Sequence, residues 1–164
     1  MKVYAGYRLH TPDSPSSGEP VVAVHNVLGR RPTSVDDLQT CECRNLAVVS
    51  YHSPSGIEWG YAGSGPADLA LSILADYFDE PVVQVQSALR SQWSPRSKAA
   101  TLHQRFKEDF LARERRDEWQ IRGDVIEVWL QSPSIAALLT RVAEEEVELA
   151  EIRRLDTEAE TWNC

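Results

Sequence analysis

Polar and apolar positions change their rhythm along this chain. "KVYAGYRL" and "EPVVAVHNV" are short, rich in valine and tyrosine, and separated by "HTPDSPSSG", a Pro-, Ser-, Asp- and Gly-rich surface turn, so they predict a pair of antiparallel strands. "GRRPTSVDDLQTCEC" reads as irregular, with one short helical turn opened by Ser34. "NLAVVSYH" returns to strand composition, "SPSG" makes a turn, and "IEWGYA" is expected to pair back as a hairpin.

The period then lengthens. In "GSGPADLALSILADYF", Ser64 or Gly65 can cap a helix, Pro66 suits its first position, and Asp68 adds negative charge to its first turn. Ala67, Ala70, Leu71, Leu74 and Tyr77 or Phe78 share one face, with Ile73 at its edge, which predicts a helix laid against the sheet. A second helix is expected over "PVVQVQSALRSQW". A third, capped by Ser94 with Pro95 in its first position, should run to Arg116 with Ala99, Leu102, His103, Phe106 and Phe110 as its apolar stripe. "EWQI" is a short strand or a turn, and Asp124 is expected to cap a helix over "VIEVWL", where the alternation of Val and Glu also allows a strand. A last long helix enters at "SPSIAALL", with Ile135, Leu138, Leu139, Val142 and Leu149 on its apolar side. Its later part, "EEEVELAEIRR", has few large apolar anchors and is free to project or to pair with another chain.

The predicted class is α+β, a small antiparallel sheet packed by several helices and ending in an acidic helix. Residues 1–130 form the sheet-and-helix domain, and residues 131–164 form a helical extension that belongs to the same globule or acts as an interaction arm. With 164 residues, 42% of them apolar, the chain can bury one ordinary core. No stretch approaches the length of a membrane span and the start lacks a secretory core, so a cytoplasmic protein without a membrane partner is expected. Three cysteines, two of them at 41 and 43, agree with a reducing compartment.

The net charge of −8 is unevenly spread. Between Arg90 and Arg122, nine basic residues stand against five acidic ones, a balance of +4. From Gly123 onward, ten acidic residues face three arginines, a balance of −7. The molecule is thus expected to be dipolar, with a basic middle and an acidic end.

"YHSPSGIEWGYAGSGPADLALSILADYF", followed by "HQRFKEDFLA" and "DEWQI", resembles the bacterial and phage proteins of the domain-of-unknown-function family 6166. The resemblance spans Met1 to Ile126 and is most specific from Glu58 to Leu71. Ala62 stands where that family usually has glycine, His103 where tyrosine is common, and the segment after Leu130 extends beyond the family pattern. The resemblance implies a bacterial or mobile-element setting and brings no established activity.

Candidate chemistry is sparse. "GYAGSGPAD" could offer backbone N–H groups to an anion, but it has neither the lysine and hydroxyl of a P-loop nor a dinucleotide fingerprint, and Asp68 opposes a phosphate. If "IEWGYA" is a strand, Trp59 and Tyr61 share a face: the favoured reading is that both rings cover the helix from Pro66 to Phe78, and the alternative is that Glu58, Trp59, Tyr61 and Ser64 make a ligand corner. Cys41, Cys43, His25 and His52 lack the spacing of a zinc module, and Cys or Ser with His52 and Glu58 lacks a nucleophile elbow. No cofactor, metal or catalytic residue is therefore expected.

Two charged surfaces remain. Arg105, Lys107, Arg113, Arg115 and Arg116 could follow a phosphate backbone, although acids interrupt them. Glu144, Glu145, Glu148 and Glu151 could instead compete with nucleic acid for a basic groove on a partner. The leading expectation is a non-enzymatic binding protein of phage or mobile-element origin that takes a protein partner, an inhibitor of a bacterial defence system such as a CRISPR effector. A nucleic-acid-binding accessory protein and an enzyme of unrecognised type are the alternatives.

Overall fold

The computed structural model describes residues 1–11, 14–26 and 43–162, and of residues 9–11, 14–17, 26 and 159–162 the backbone alone. The elements in chain order are β1 (Lys2–Thr11), β2 (Ser14–Asn26), β3 (Cys43–Asn45), α1 (Ser64–Tyr77), α2 (Val82–Arg90), α3 (Lys98–Phe106), a π-helical turn (Lys107–Leu111), β4 (Glu118–Arg122), α4 (Gly123–Leu130) and α5 (Pro133–Trp162). The four strands form one antiparallel sheet in the order β3-β2-β1-β4. The α+β class read from the sequence is the class observed. The helical turn expected at Ser34, and Cys41, lie outside the described residues.

Alternation sets the two faces of the sheet. Tyr4 pairs with Val24 and Ile121, and Gly6 with Val22 and Trp119, so these side chains share the face turned toward the helices. In β4 the pattern is complete, with Trp119 and Ile121 buried between exposed Glu118, Gln120 and Arg122. Gly6 has a steric duty here, because a Cβ at that position would lie 2.3 Å from the indole of Trp119. The opposite face buries Val3, Ala5, Tyr7, Ala23 and His25.

Helix α1 lies at the centre. Every residue from Gly65 to Ala75 is buried, so the helix is enclosed all round rather than on the single stripe that its pattern suggested. One side meets Tyr4, Val22, Val24 and Ile121 of the sheet, and the other meets α2, α3 and the π turn through Val85, Leu102, Phe106 and Leu111. Leu69, Leu71, Ile73 and Leu74 are fully buried, each contributing about 1.5 to 3 kcal/mol by area. The C-terminal end is tied to the sheet at Asp76, which accepts the Tyr4 hydroxyl at 3.0 Å and pairs with Lys2 and Arg44. Burial and the neighbouring carboxylate push the Tyr4 phenol well above its ordinary pKa.

Several expected boundaries move. The strands run through most of "HTPDSPSSG", β1 to Thr11 and β2 from Ser14. "NLAVVSYH" contributes only Asn45 to the sheet, and "IEWGYA" is not a strand at all. Gly60 has φ +91 and donates its N–H to the Leu111 carbonyl at 2.9 Å, which turns the chain away from a ladder. Helix α1 has Gly63 as its N-cap with no side-chain cap, and Asp68 sits beyond the first turn. Helix α3 is capped by Ser97, whose hydroxyl accepts from Ala100 N, rather than by Ser94. Arg122 occupies the N-cap of α4 and Asp124 pairs with it instead of capping.

Helix α5 is 30 residues long, about 45 Å. Ile135, Val142 and Leu149 are buried, and Leu138 and Leu139 are packed against the core. Beyond Leu149 the helix turns Ile152 and Leu155 to solvent. Among the described residues, no helix is long and apolar enough to cross a membrane.

The Gly6→Ala substitution drives a methyl into the Trp119 ring and is expected to destabilise the fold by about 1 to 3 kcal/mol, the usual cost of overpacking. Urea unfolding measures it, and an unchanged midpoint would remove the Gly6–Trp119 contact as a constraint.

Candidate functional site

The segment between β3 and α1 holds most of the chemistry-bearing residues, and side chains of α1 position it. Asp68, fully buried, accepts three backbone N–H groups: Tyr51 at 3.0 Å, His52 at 2.8 Å and Ser53 at 2.9 Å. One turn later Ser72 accepts Val49 N at 2.9 Å and donates to the Asp68 carbonyl at 2.6 Å. Leu46 still donates to the Val22 carbonyl of β2 at 2.9 Å, but the N–H groups of Val49, Tyr51, His52 and Ser53 are taken by helix side chains and need no neighbouring strand, which explains why this stretch leaves the sheet.

Of the expected ligand corner, Glu58 and Tyr61 meet at Gly65, where an added Cβ would lie 2.7 Å from Glu58 Cβ and 2.9 Å from the Tyr61 hydroxyl, while Trp59 is buried and Ser64 exposed. Glu58 is held by a bidentate pair from Arg8 at 2.9 and 2.6 Å and also accepts Trp59 N. The Arg8 guanidinium lies 4.5 Å from the Trp59 ring centroid, and Trp59 itself is buried, donating Nε1–H to the Arg116 carbonyl at 2.9 Å. Trp119 meets it edge to face at 5.6 Å. Tyr61 is 48% exposed and its ring lies against the Gly63–Gly65 turn, so it does not share a face with Trp59. Ser64 is exposed at the start of α1. The structure thus makes Glu58 and Trp59 part of an Arg-centred structural joint.

His52, considered above for zinc and for a triad, stands beside His103 instead. The two Nε2 atoms are 3.1 Å apart and the ring centroids 5.2 Å. His103 Nδ1 is 2.7 Å from the Ala100 carbonyl and must carry its proton there, which leaves Nε2 as an acceptor. Gln104 Nε2 also reaches that atom, at 2.8 Å. Burial lowers the His103 pKa to about 4, so the ring is neutral at ordinary pH. No sequence spacing links a histidine in a turn to one in a helical stripe 51 residues later, so the pair was not legible beforehand. Among the described residues, no group of three or more His, Cys, Asp or Glu could hold a metal ion.

The basic residues do not share one helical face. Helix α3 ends at Phe106, and the π turn delivers Arg113, Arg115 and Arg116 to a loop before β4. Arg105 pairs with Asp109 and Glu108, Lys107 donates to Gln104, and Arg116 pairs with Glu114. Arg113 and Arg115 are exposed.

The acidic residues lie on α5. Glu145 pairs with Arg96 at 3.0 Å and with Arg141 at 3.7 Å, and Glu151 pairs with Arg154. Glu144 and Glu148 are exposed. Glu148 lines a cleft of about 210 Å³ with Trp93, Arg96, Leu149 and Ile152. Trp93 is 64% exposed, and sequence reasoning had assigned it no role.

The model of a family of unknown function, DUF6166, matches residues 22–94. This lies within the span over which the sequence resembles that family and includes β3, the corner, α1 and α2. Neither the comparison with curated proteins nor that with solved structures found a match.

The Asp68→Ala substitution leaves three backbone N–H groups without their acceptor and is expected to cost about 3 kcal/mol or more in urea unfolding. A loss below about 1 kcal/mol would mean that water replaces the carboxyl easily.

For His103, the folded-state pKa of about 4 lies below the ordinary 6.5, so the unfolded chain binds more protons between these values. Stability is therefore full above about pH 6.5 and falls toward pH 4, by up to about 3 kcal/mol from this group. His103→Gln should flatten that part of the stability profile, and an unchanged slope would assign it to other groups.

Proposed function

We propose that this chain, matched to the family of unknown function DUF6166 over residues 22–94, is a non-enzymatic binding protein that holds a basic partner protein along α5. The observation that carries this reading is the cleft beside Trp93. An indole 64% exposed is unusual for a surface side chain, and here it stands next to exposed Glu148 and partly exposed Ile152. A lysine or arginine entering the cleft would find an aromatic face, a carboxylate and an apolar wall together. Arg96 is occupied by Glu145, and Arg153 donates to the Trp93 carbonyl at 2.8 Å, so both cations at the rim are engaged within the chain.

The wider field points the same way. Helix α5 carries eight carboxylates against three arginines, Glu145 and Glu148 line the cleft, and Glu144 and Glu151 lie on the same helix. Closely spaced carboxylates on a rigid rod resemble the phosphates of nucleic acid and suit a groove built for them. The bacterial or mobile-element setting implied by the resemblance makes a host defence complex the partner to try, and a CRISPR effector has such a positively charged channel.

The test is capture of partners by the full chain from bacterial lysate, with and without nuclease, followed by affinity measurement with the protein recovered. A nuclease-resistant basic protein is expected, with Trp93→Ala and Glu148→Lys each weakening binding at least tenfold, roughly 1.4 kcal/mol. Recovery that vanishes with nuclease would replace this reading with nucleic-acid binding through Arg113 and Arg115. A protein partner indifferent to both substitutions would remove the cleft from the proposal.

A further inference from the structure

The outer edge of β4 points to a second interaction surface, independent of the cleft beside Trp93: we propose that two copies of this chain pair there, strand against strand, about a two-fold axis. β4 is an end strand of the sheet and pairs with β1 on its inner side. One step beyond that register, Arg8 N–H donates to the Asp117 carbonyl at 2.9 Å, so the alternation of an antiparallel ladder gives β1 the backbone bonds of Trp119 and Ile121. The N–H and C=O groups of Glu118, Gln120 and Arg122 therefore turn outward. Among the described residues, those of Gln120 meet no partner.

The strand, Glu118-Trp119-Gln120-Ile121-Arg122, is complementary to itself when reversed. An antiparallel copy centred on Gln120 sets that residue opposite its own counterpart and Glu118 opposite Arg122 at both ends. These are the residues whose backbone groups face outward, so each opposed pair exchanges both of its hydrogen bonds. Backbone register and charge are thus satisfied by one arrangement. A parallel copy in register would oppose Glu118 to Glu118 and Arg122 to Arg122, which is unfavourable. On the helix-facing side Trp119 stands opposite Ile121 of the second copy and continues the apolar layer across the axis. Arg122 already pairs with Asp124 through Nε and Nη2, and its remaining donors can serve a second carboxylate. Two four-stranded sheets become one of eight strands through an isologous contact.

Edges that must stay unpaired are shielded by a bulge, a proline, a lysine or a covering element. The ladder of β4 with β1 has no register shift, and its sequence holds neither proline nor lysine. Its two charges repel strands in other registers and match in this one, which makes them a device for choosing the partner. The opposite edge, β3, has three residues and offers a much shorter ladder. Among the described elements, β4 is in contact chiefly with β1 and with α4, the helix that follows it. Just past the end of the strand, α4 exposes Val125 and Val128 one turn apart, apolar surface beside which the second copy's strand begins.

Sedimentation equilibrium of the full chain in reducing buffer tests the inference. A monomer–dimer equilibrium is expected, with a dissociation constant of about 1 µM to 1 mM for so short a contact. Glu118→Arg and Arg122→Glu each create like-charge pairs at both ends, and each should weaken dimerisation at least tenfold. Mixing the two variants restores opposite charges at both ends and should recover the association as a heterodimer, a result that unfolding of either variant could not produce. Gln120→Pro removes an N–H that points away from β1, so it should abolish dimerisation while far-UV circular dichroism stays unchanged. A chain monomeric up to about 1 mM, a dimer indifferent to Gln120→Pro, or a mixture no stronger than either variant alone would overturn the proposal.

Discussion

A carboxyl group inside a helix enclosed by protein must find donors, and in this molecule the donors come from one loop. Asp68 takes the N–H groups of Tyr51, His52 and Ser53, and Ser72 takes that of Val49. Those bonds lash the segment after β3 onto α1, so the loop is as fixed as the helix that reads it. Much else follows from that attachment. The chain reaches Glu58 and Trp59 where Arg8 of β1 can grip one and stack on the other, and it carries His52 to within hydrogen-bond reach of His103 on α3.

Enclosing α1 also decides what remains for α5. With the sheet on one side and α2 and α3 on the other, the central helix has no free face, and α5 packs along the outside. Its buried residues, Ile135, Val142 and Leu149, are spaced by seven, a seam that drifts only about 20° per repeat on a straight helix. The next position in that series is Asp156. The seam ends there, and the helix continues with its carboxylates and with Ile152 and Leu155 facing water. The cleft with Trp93 lies where the seam gives out.

The parts of this fold that were legible in the sequence are those in which local preference and tertiary packing agree. Helix α1 announced itself through Pro66 and its apolar run, and β1 and β2 through their valine- and tyrosine-rich composition, whereas β4 was open as a short strand or a turn. The stripe of α3 was read correctly because Leu102 and Phe106 repeat at helical spacing. Errors arose where a side chain distant in sequence replaced a backbone partner. "AVVSYH" has strand composition, yet its hydrogen bonds go to Asp68 and Ser72, and no local pattern announces that. Asp68 itself was assigned to the helix dipole because its true partners lie 15 to 17 residues earlier. Trp59 and Tyr61 were placed on one face by the period of a strand that the turn at Gly60 prevents. Of the candidate sites, the acidic residues were visible as composition, whereas Trp93 and the histidine pair appear only once α3 and α5 are folded back on the earlier chain.

That last point bears on how the molecule is organised. His52 and Trp93 belong to the matched segment, residues 22–94, while His103, Glu148 and Ile152 come from elements after it. Each constellation therefore crosses the boundary: the matched segment supplies the loop or the indole, and the later helices supply the second histidine or the carboxylate. A segment held by Asp68 can present His52 with little conformational freedom, but it gains a second imidazole only when α3 docks on α1. Likewise Trp93 becomes one wall of a cleft only because α5 runs past it, with Arg96 joined to Glu145 and Arg153 to the Trp93 carbonyl. The physical unit for either constellation is the docked pair of halves, and the interactions that dock them determine its geometry.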